Sequence, residues 1–220
     1  EFQEALQVES ALSSADFRKL IEIDHFEIVD LFILSSIAKE LSGKHVKRAD
    51  VENWIRTRRK QHWYNNFQHV YEALFFASEF LHEMSNVSLG MDGFDDAINR
   101  YTKTWFKVDQ LYRKFIYHLR KANQPTLLGD IAEVVENRYE NDYLLRLNDA
   151  WQIHVDRTTN WKSESIVSQK DFYSRYVRQL RDKDTKAVVV ISDAMRYEVG
   201  EELLRRIREK DKFEASIEPM

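Results

Sequence analysis

Five glycines and two prolines punctuate 220 residues. That is too few for the frequent turns of an all-β domain and natural for long helices with short connections, so residues 1–183 are predicted to be mostly α-helical. The clearest stretch sets Ile98, Tyr101, Trp105, Val108, Tyr112, Phe115 and Leu119 at three-and-four spacing, which lines one helical face with large side chains. Val70, Tyr71, Leu74, Phe75, Ser78 and Leu81 repeat the pattern. So do Ile28, Leu31, Phe32, Ile37 and Leu41, a stripe stopped by Gly43 as C-cap. Further helices are expected over Ala49–Tyr64, Leu128–Ile153 and Ser168–Arg181, the last opening on a near capping box, Ser168-Gln169-Lys170-Asp171. Trp105, Tyr112 and Phe115 are expected to share a core with Leu74 and Phe75.

The composition narrows the function classes. Hydrophobic residues make up 43% and charged residues 32%, yet the formal net charge is only −4, so no global field draws the chain to nucleic acid or anionic lipid. With no cysteine there are no disulfides, thiolate metal sites or cysteine nucleophiles, which fits a cytoplasmic protein. No apolar run reaches the roughly 20 residues needed to span a bilayer, and the acidic start Glu1-Phe2-Gln3-Glu4 is unlike a signal peptide. The absence of an initial methionine and the ending Glu218-Pro219-Met220 read as a piece of a longer protein.

The character changes at Asp184. After the turn Asp182-Lys183-Asp184-Thr185, Ala187-Val188-Val189-Val190-Ile191 is apolar at every position, the mark of a parallel strand buried on both faces. Met195, Val199, Leu203 and Ile207 then predict a helix over Ala194–Glu209, and Phe213–Ile217 alternates as a second strand. Strand, helix and strand make a βαβ unit with a right-handed crossover. Ligands of open α/β sheets gather outside the carboxyl ends of the strands, where Asp193 is placed. An aspartate before a helix also caps the first-turn amides, and position alone favours that structural role.

The whole segment Val188-Val189-Val190-Ile191-Ser192-Asp193-Ala194-Met195-Arg196-Tyr197-Glu198 closely resembles the signature that opens the PglZ domain, a branch of the alkaline phosphatase superfamily found in BREX-type anti-phage defence. The resemblance is specific over Lys186–Met220; upstream, it is one of general helical character. It implies that Asp193 is a ligand of one of two divalent metals (Zn²⁺, Mn²⁺ or Mg²⁺), a role a carboxylate suits. It invites a phosphate-binding role for Arg196, against a structural pairing with Glu198, Glu201 or Glu202. A serine or threonine nucleophile and the remaining ligands are expected beyond Met220, so no catalytic residue is assigned within this chain.

Two other signals carry less. His62, His69 and His82 match no short zinc motif, and they read as ordinary helix residues. Between Lys44 and His62, the cations Lys44, Lys47, Arg48, Arg56, Arg58, Arg59 and Lys60 face only Asp50 and Glu52, with Trp54 and Trp63 nearby. Arg56, Arg58, Arg59 and Lys60 could grip nucleic-acid phosphates, although charge runs on helices are usually solvated faces.

The expected architecture is thus a helical domain over 1–183, followed over 184–220 by the first βαβ unit of an alkaline-phosphatase-like α/β domain. The function implied is the N-terminal part of a metal-dependent phosphatase or phosphodiesterase of a BREX-like system, with other BREX proteins as partners. The alternative is a non-catalytic helical module that docks defence partners or nucleic acid.

Overall fold

The fold is described by a computed structural model covering residues 6–43, 45–159, 162–163, 165–183, 186–211 and 213–220. Glu1-Phe2-Gln3-Glu4, Lys44, and Asp184 and Thr185 of the expected turn lie outside them.

Contacts group the chain into two compact units, Glu1–Val87 with Leu111–Leu145, and Ser88–Gln110 with Arg146–Met220. The first begins with α1 (Val8–Leu12) and a 3-10 turn at Phe17–Leu20. Then come α2 (Glu27–Ser42), α3 (Arg48–Arg58), a 3-10 turn at His62–Asn66, and α4 (Gln68–Asn86). A continuous helical stretch follows: α5 (Phe94–Arg100), a wide π turn at Tyr101–Trp105, and α6 (Phe106–Ala122). α7 (Pro125–Asn137) continues through a second π turn, Arg138–Leu145, into α8 (Arg146–Arg157). Short turns at Gln169–Asp171 and Tyr173–Val177 lead into α9 (Arg178–Asp182), and α10 is Tyr197–Arg208.

The stripe predicted for α4 serves the core of the first unit, but of the stripe predicted for α2 only Ile37 and Leu41 are buried: Ile28 and Phe32 are half-buried, Leu31 is 40% exposed, and the buried face runs instead through Val29, Ile33 and Leu34. Ile33, Leu34 and Ile37 of α2 and Tyr71, Leu74 and Phe80 of α4 are fully buried, joined by Leu128, Ile131 and Val135 of α7. Helix α2 packs on both α4 and α7, so it is apolar over much of its circumference rather than along one stripe. Tyr112 and Tyr139 stack with ring centroids 3.7 Å apart, and Phe80 lies 6.2 Å from Tyr112. Gly43 does follow α2, but at φ −78° it is right-handed, so the stop does not depend on glycine's freedom.

The stripe from Ile98 to Leu119 does not serve one core. The division between units falls inside α6, after Gln110: Trp105 and Val108 are buried in the second unit, while Phe115 is buried in the first with Leu74. Tyr112 and Phe75 are only half-buried. The π turn at Tyr101–Trp105 widens the helix just where the stripe passes, which resets its phase.

The second unit is held largely by aromatic and polar contacts. Trp105 is 2% exposed and donates its indole N–H to the Ser88 carbonyl at 3.0 Å. Phe94 meets Trp151 edge to face at 4.7 Å, and Asp95 accepts from the Ser163 and Ser165 hydroxyls. The Ser168 side chain accepts from the Lys170 amide and so caps a short 3-10 turn rather than opening the predicted helix.

The expected βαβ unit is not formed among the described residues. Residues 186–192 take no regular structure and lie open: Val188, Val190 and Ile191 are 77%, 85% and 89% exposed. A strand satisfies its backbone only through neighbouring strands, and the described residues include none to pair with it. Residues 213–220 are likewise irregular and fold back on α10, where the Ala215 carbonyl accepts from Arg208 Nε and Nη2 at 3.2 and 2.9 Å. Their approach is close: a Cβ on Gly200 would lie 3.0 Å from Ile217 Cδ1.

Candidate functional site

The motif arrives through an exposed apolar segment, a turn at Asp193-Ala194, and then α10. Helix α10 begins at Tyr197, three residues later than the sequence periodicity predicts, and its N-cap is Arg196 with extended φ −71° and ψ 153°. Asp193 is therefore not the cap of this helix, which corrects that structural role; its carboxylate stands exposed ahead of the first turn. The stripe Met195, Val199, Leu203, Ile207 is covered only in part, with Val199 and Ile207 half-buried. Met195 and Leu203 are 48% and 46% exposed, whereas Leu204 is buried and Tyr197 and Glu201 half-buried.

Tyr197 anchors the motif. Its ring lies 5.6 Å from Phe106 and 6.1 Å from Tyr101, and its hydroxyl donates to the Thr102 carbonyl at 3.3 Å and to Glu201 at 3.0 Å. Burial, then the hydrogen bond to Glu201, push this hydroxyl up to about 12, so at neutral pH it acts as a neutral donor. Gln110 adds a hydrogen bond to the Glu198 carbonyl at 3.1 Å. These contacts fasten the start of α10 and thereby set the point from which Asp193 and Arg196 project. Arg196 is exposed; of its expected structural partners, Glu201 accepts from Tyr197 and Glu202 from Arg206.

The basic run does not form one cationic face. Consecutive helical residues turn by about 100°, which spreads them around the axis. Arg58 points inward and is fully buried, donating Nη1 to the carbonyls of Ile21 (3.2 Å) and Ile23 (2.8 Å) and Nη2 to Asp30. Tyr71 donates to the other Asp30 oxygen at 2.6 Å, and burial, then the Asp30 charge, raise its hydroxyl far above the usual tyrosine range. A guanidinium so enclosed is not available to a phosphate, so Arg58 is corrected from a surface contact to a core residue. Arg59 is bound to Glu72 at 2.7 Å and Arg56 to Asn53 at 2.8 Å; Lys60 is exposed beyond the helix end.

Among the histidines, the structure pairs His69 with His118, Nδ1 to Nδ1 at 3.0 Å, whereas His82 lies 3.3 Å from the Asn86 amide nitrogen. Burial lowers His118 below its ordinary value, and the charges of His69 and Lys114 add to the effect. Sequence reasoning missed both this pair and the Asp30–Arg58–Tyr71 network. The one legible signal was an aspartate set among the apolar residues of α2; its partners lie 28 and 41 positions away.

No group of three or more histidines, aspartates or glutamates among the described residues is placed to hold a metal ion. Asp193 offers the hard oxygen donor that Mg²⁺, Mn²⁺ or Zn²⁺ accepts, but a single exposed carboxylate does not make a site.

Residues 172–220 match the family model of the BREX system PglZ alkaline phosphatase-like domain. The chain is 28% identical over 223 residues to the alkaline phosphatase-like protein PglZ of Bacillus cereus (strain H3081.97), covering 99% of this chain and 26% of that protein. It is 27% identical over 192 residues to the alkaline phosphatase-like protein BrxZ of Escherichia coli O9:H4 (strain HS), covering 83% of this chain and 22% of that protein. It thus spans about a quarter of the length of these curated relatives. No solved structure matches. Its last 49 residues are thus matched by the PglZ domain model, and nearly its whole length is similar to a PglZ protein.

Proposed function

We propose that this chain is the N-terminal helical part and opening motif of a metal-dependent phosphatase or phosphodiesterase of a BREX-like phage-defence system, acting in the cytoplasm with other BREX proteins. The observation that carries the reading is the coincidence of the family match with one carboxylate. The matched segment contains the apolar run Val188–Ile191, and Asp193 follows it directly. In an assembled parallel sheet that position lies at the carboxyl end of a strand, where α/β proteins hold their ligands.

The exposed apolar surface supports the same reading. Val188, Val190, Ile191, Met195 and Leu203 are all open in this chain, as the first strand and helix of a sheet would be without their neighbours. The chain's own residues supply an anchor, Tyr197, one oxygen donor, Asp193, and one guanidinium, Arg196. They do not hold a metal, so the chain by itself is expected to hydrolyse no phosphoester. In the whole protein a divalent cation would act as Lewis acid toward the phosphoryl oxygens.

The test is turnover of an aryl phosphate and an aryl phosphodiester with added Zn²⁺, Mn²⁺ or Mg²⁺, comparing this chain, a version extended to the length of the relatives, and the extended Asp193→Ala variant. Activity is expected only in the extended protein. Asp193→Ala should lower it by more than about a hundredfold, since loss of an outer-shell partner alone costs 10- to 100-fold. Full activity in extended Asp193→Ala would sink the assignment.

A further inference from the structure

The opening of α10 is held by residues that lie well upstream of the segment 172–220 matched by the family model. Tyr101 and Phe106 set their rings 6.1 and 5.6 Å from that of Tyr197, the Thr102 carbonyl accepts from its hydroxyl, and Gln110 donates Nε2 to the Glu198 carbonyl at 3.1 Å. All of these residues belong to the second unit, and Glu198 is fully buried there. A stretch of the helical region, residues 101–110, is therefore built into the same body as the motif.

The bond from Gln110 does not serve the helix that receives it. Within α10 the Glu198 carbonyl already stands in the helical ladder, as acceptor for the amide four residues on. A second donor from another element makes the helix no more helical; it fixes where the first turn sits and how it is rotated. The motif has no other such hold. Every residue from 186 to 196 is exposed, so Tyr197 and Glu198 are the first packed residues after the apolar run. Asp193 precedes Tyr197 by four residues, which keep it within about 14 Å even at full extension.

We infer that Gln110 is a positioning residue of the phosphoesterase site: through the Glu198 carbonyl it sets the first turn of α10, and with it the place of the Asp193 carboxylate and the Arg196 guanidinium against a bound phosphoester. The inference rests on the phosphoesterase reading and extends it to a residue outside the matched segment. Gln110 acts only through α10, yet a misplacement of about 1 Å can cost about a hundredfold in rate.

The test has two arms. In the 220-residue chain, Gln110→Ala is expected to speed hydrogen exchange several-fold at the Val199 and Gly200 amides, which close the first turn on the Arg196 carbonyl, and to leave exchange in α4 unchanged. In the protein extended to the length of the relatives, assayed well below its thermal midpoint, Gln110→Ala should lower kcat for the aryl ester it turns over about tenfold with KM within about twofold, as for an interaction felt in the transition state and not in binding. Gln110→Lys, which keeps an N–H donor, should recover most of that loss. An extended protein that turns over neither aryl ester overturns the phosphoesterase reading and this inference with it. An active extended protein in which Gln110→Ala keeps its kcat, a loss that Gln110→Lys does not recover, or exchange at Val199 and Gly200 unmoved in the 220-residue variant, overturns the positioning role alone.

Discussion

Two apolar runs of similar hydrophobicity meet opposite fates in this molecule. In α2, Ile33, Leu34 and Ile37 are fully buried, whereas Val190 and Ile191 are 85% and 89% exposed. The difference lies in where each run finds its backbone partners. A helix closes its own hydrogen bonds, so it needs neighbours only to cover side chains, and α4 and α7 provide them. A strand borrows its hydrogen bonds from other strands and cannot form until they exist. The helical region can therefore complete itself locally, while the phosphatase-like motif needs a sheet.

The sharpest way to break this contrast is to unbalance the interior of the first unit. Asp30→Ala would leave the Arg58 guanidinium buried without its carboxylate and is expected to cost about 3 to 5 kcal/mol, the range for an orphaned buried charge. Chemical denaturation would measure it, and a loss under about 1 kcal/mol would mean that Arg58 escapes to water. Truncating Trp105 to alanine should cost a similar ~3 to 5 kcal/mol, as for other large core aromatics. An unchanged thermal midpoint would show that the second unit does not rest on that ring.

A smaller effect is expected from the His69–His118 pair. Because His118 titrates below its ordinary value of 6.5, the unfolded chain binds its proton first as pH falls. The stability this group contributes is thus fully present above that value and is lost as pH drops through and below it. Glu72 opposes the shift, and His69 and Lys114 reinforce it. Replacing His118 with asparagine should flatten the dependence of the denaturation midpoint between pH 7.5 and 5; an identical slope in the variant would assign the effect elsewhere.

The smallest effect should come from the motif. Val190→Ser with Ile191→Ser is expected to change the stability of this chain by less than about 0.5 kcal/mol, as at other open positions. In a protein extended through the sheet, the same pair should cost several kcal/mol, the usual penalty for core truncation. A large loss in the short chain would mean that the segment is already packed.

Much was decided by the chain's own chemistry. Scarce glycine and proline, with apolar residues at helical spacing, imply the long helices of both units, and a β-branched run followed by Ser192-Asp193-Ala194 marks the phosphatase-like motif because strand, turn and carboxylate are contiguous there. Tertiary structure decided what depends on distant partners. It divided one helical stripe between two cores, turned Arg58 inward onto Asp30 and away from the surface, and moved the cap of α10 from Asp193 to Arg196. Periodicity reports that a face will be covered, but the covering residues lie tens of positions away, and an unpaired strand has no local interaction to hold it.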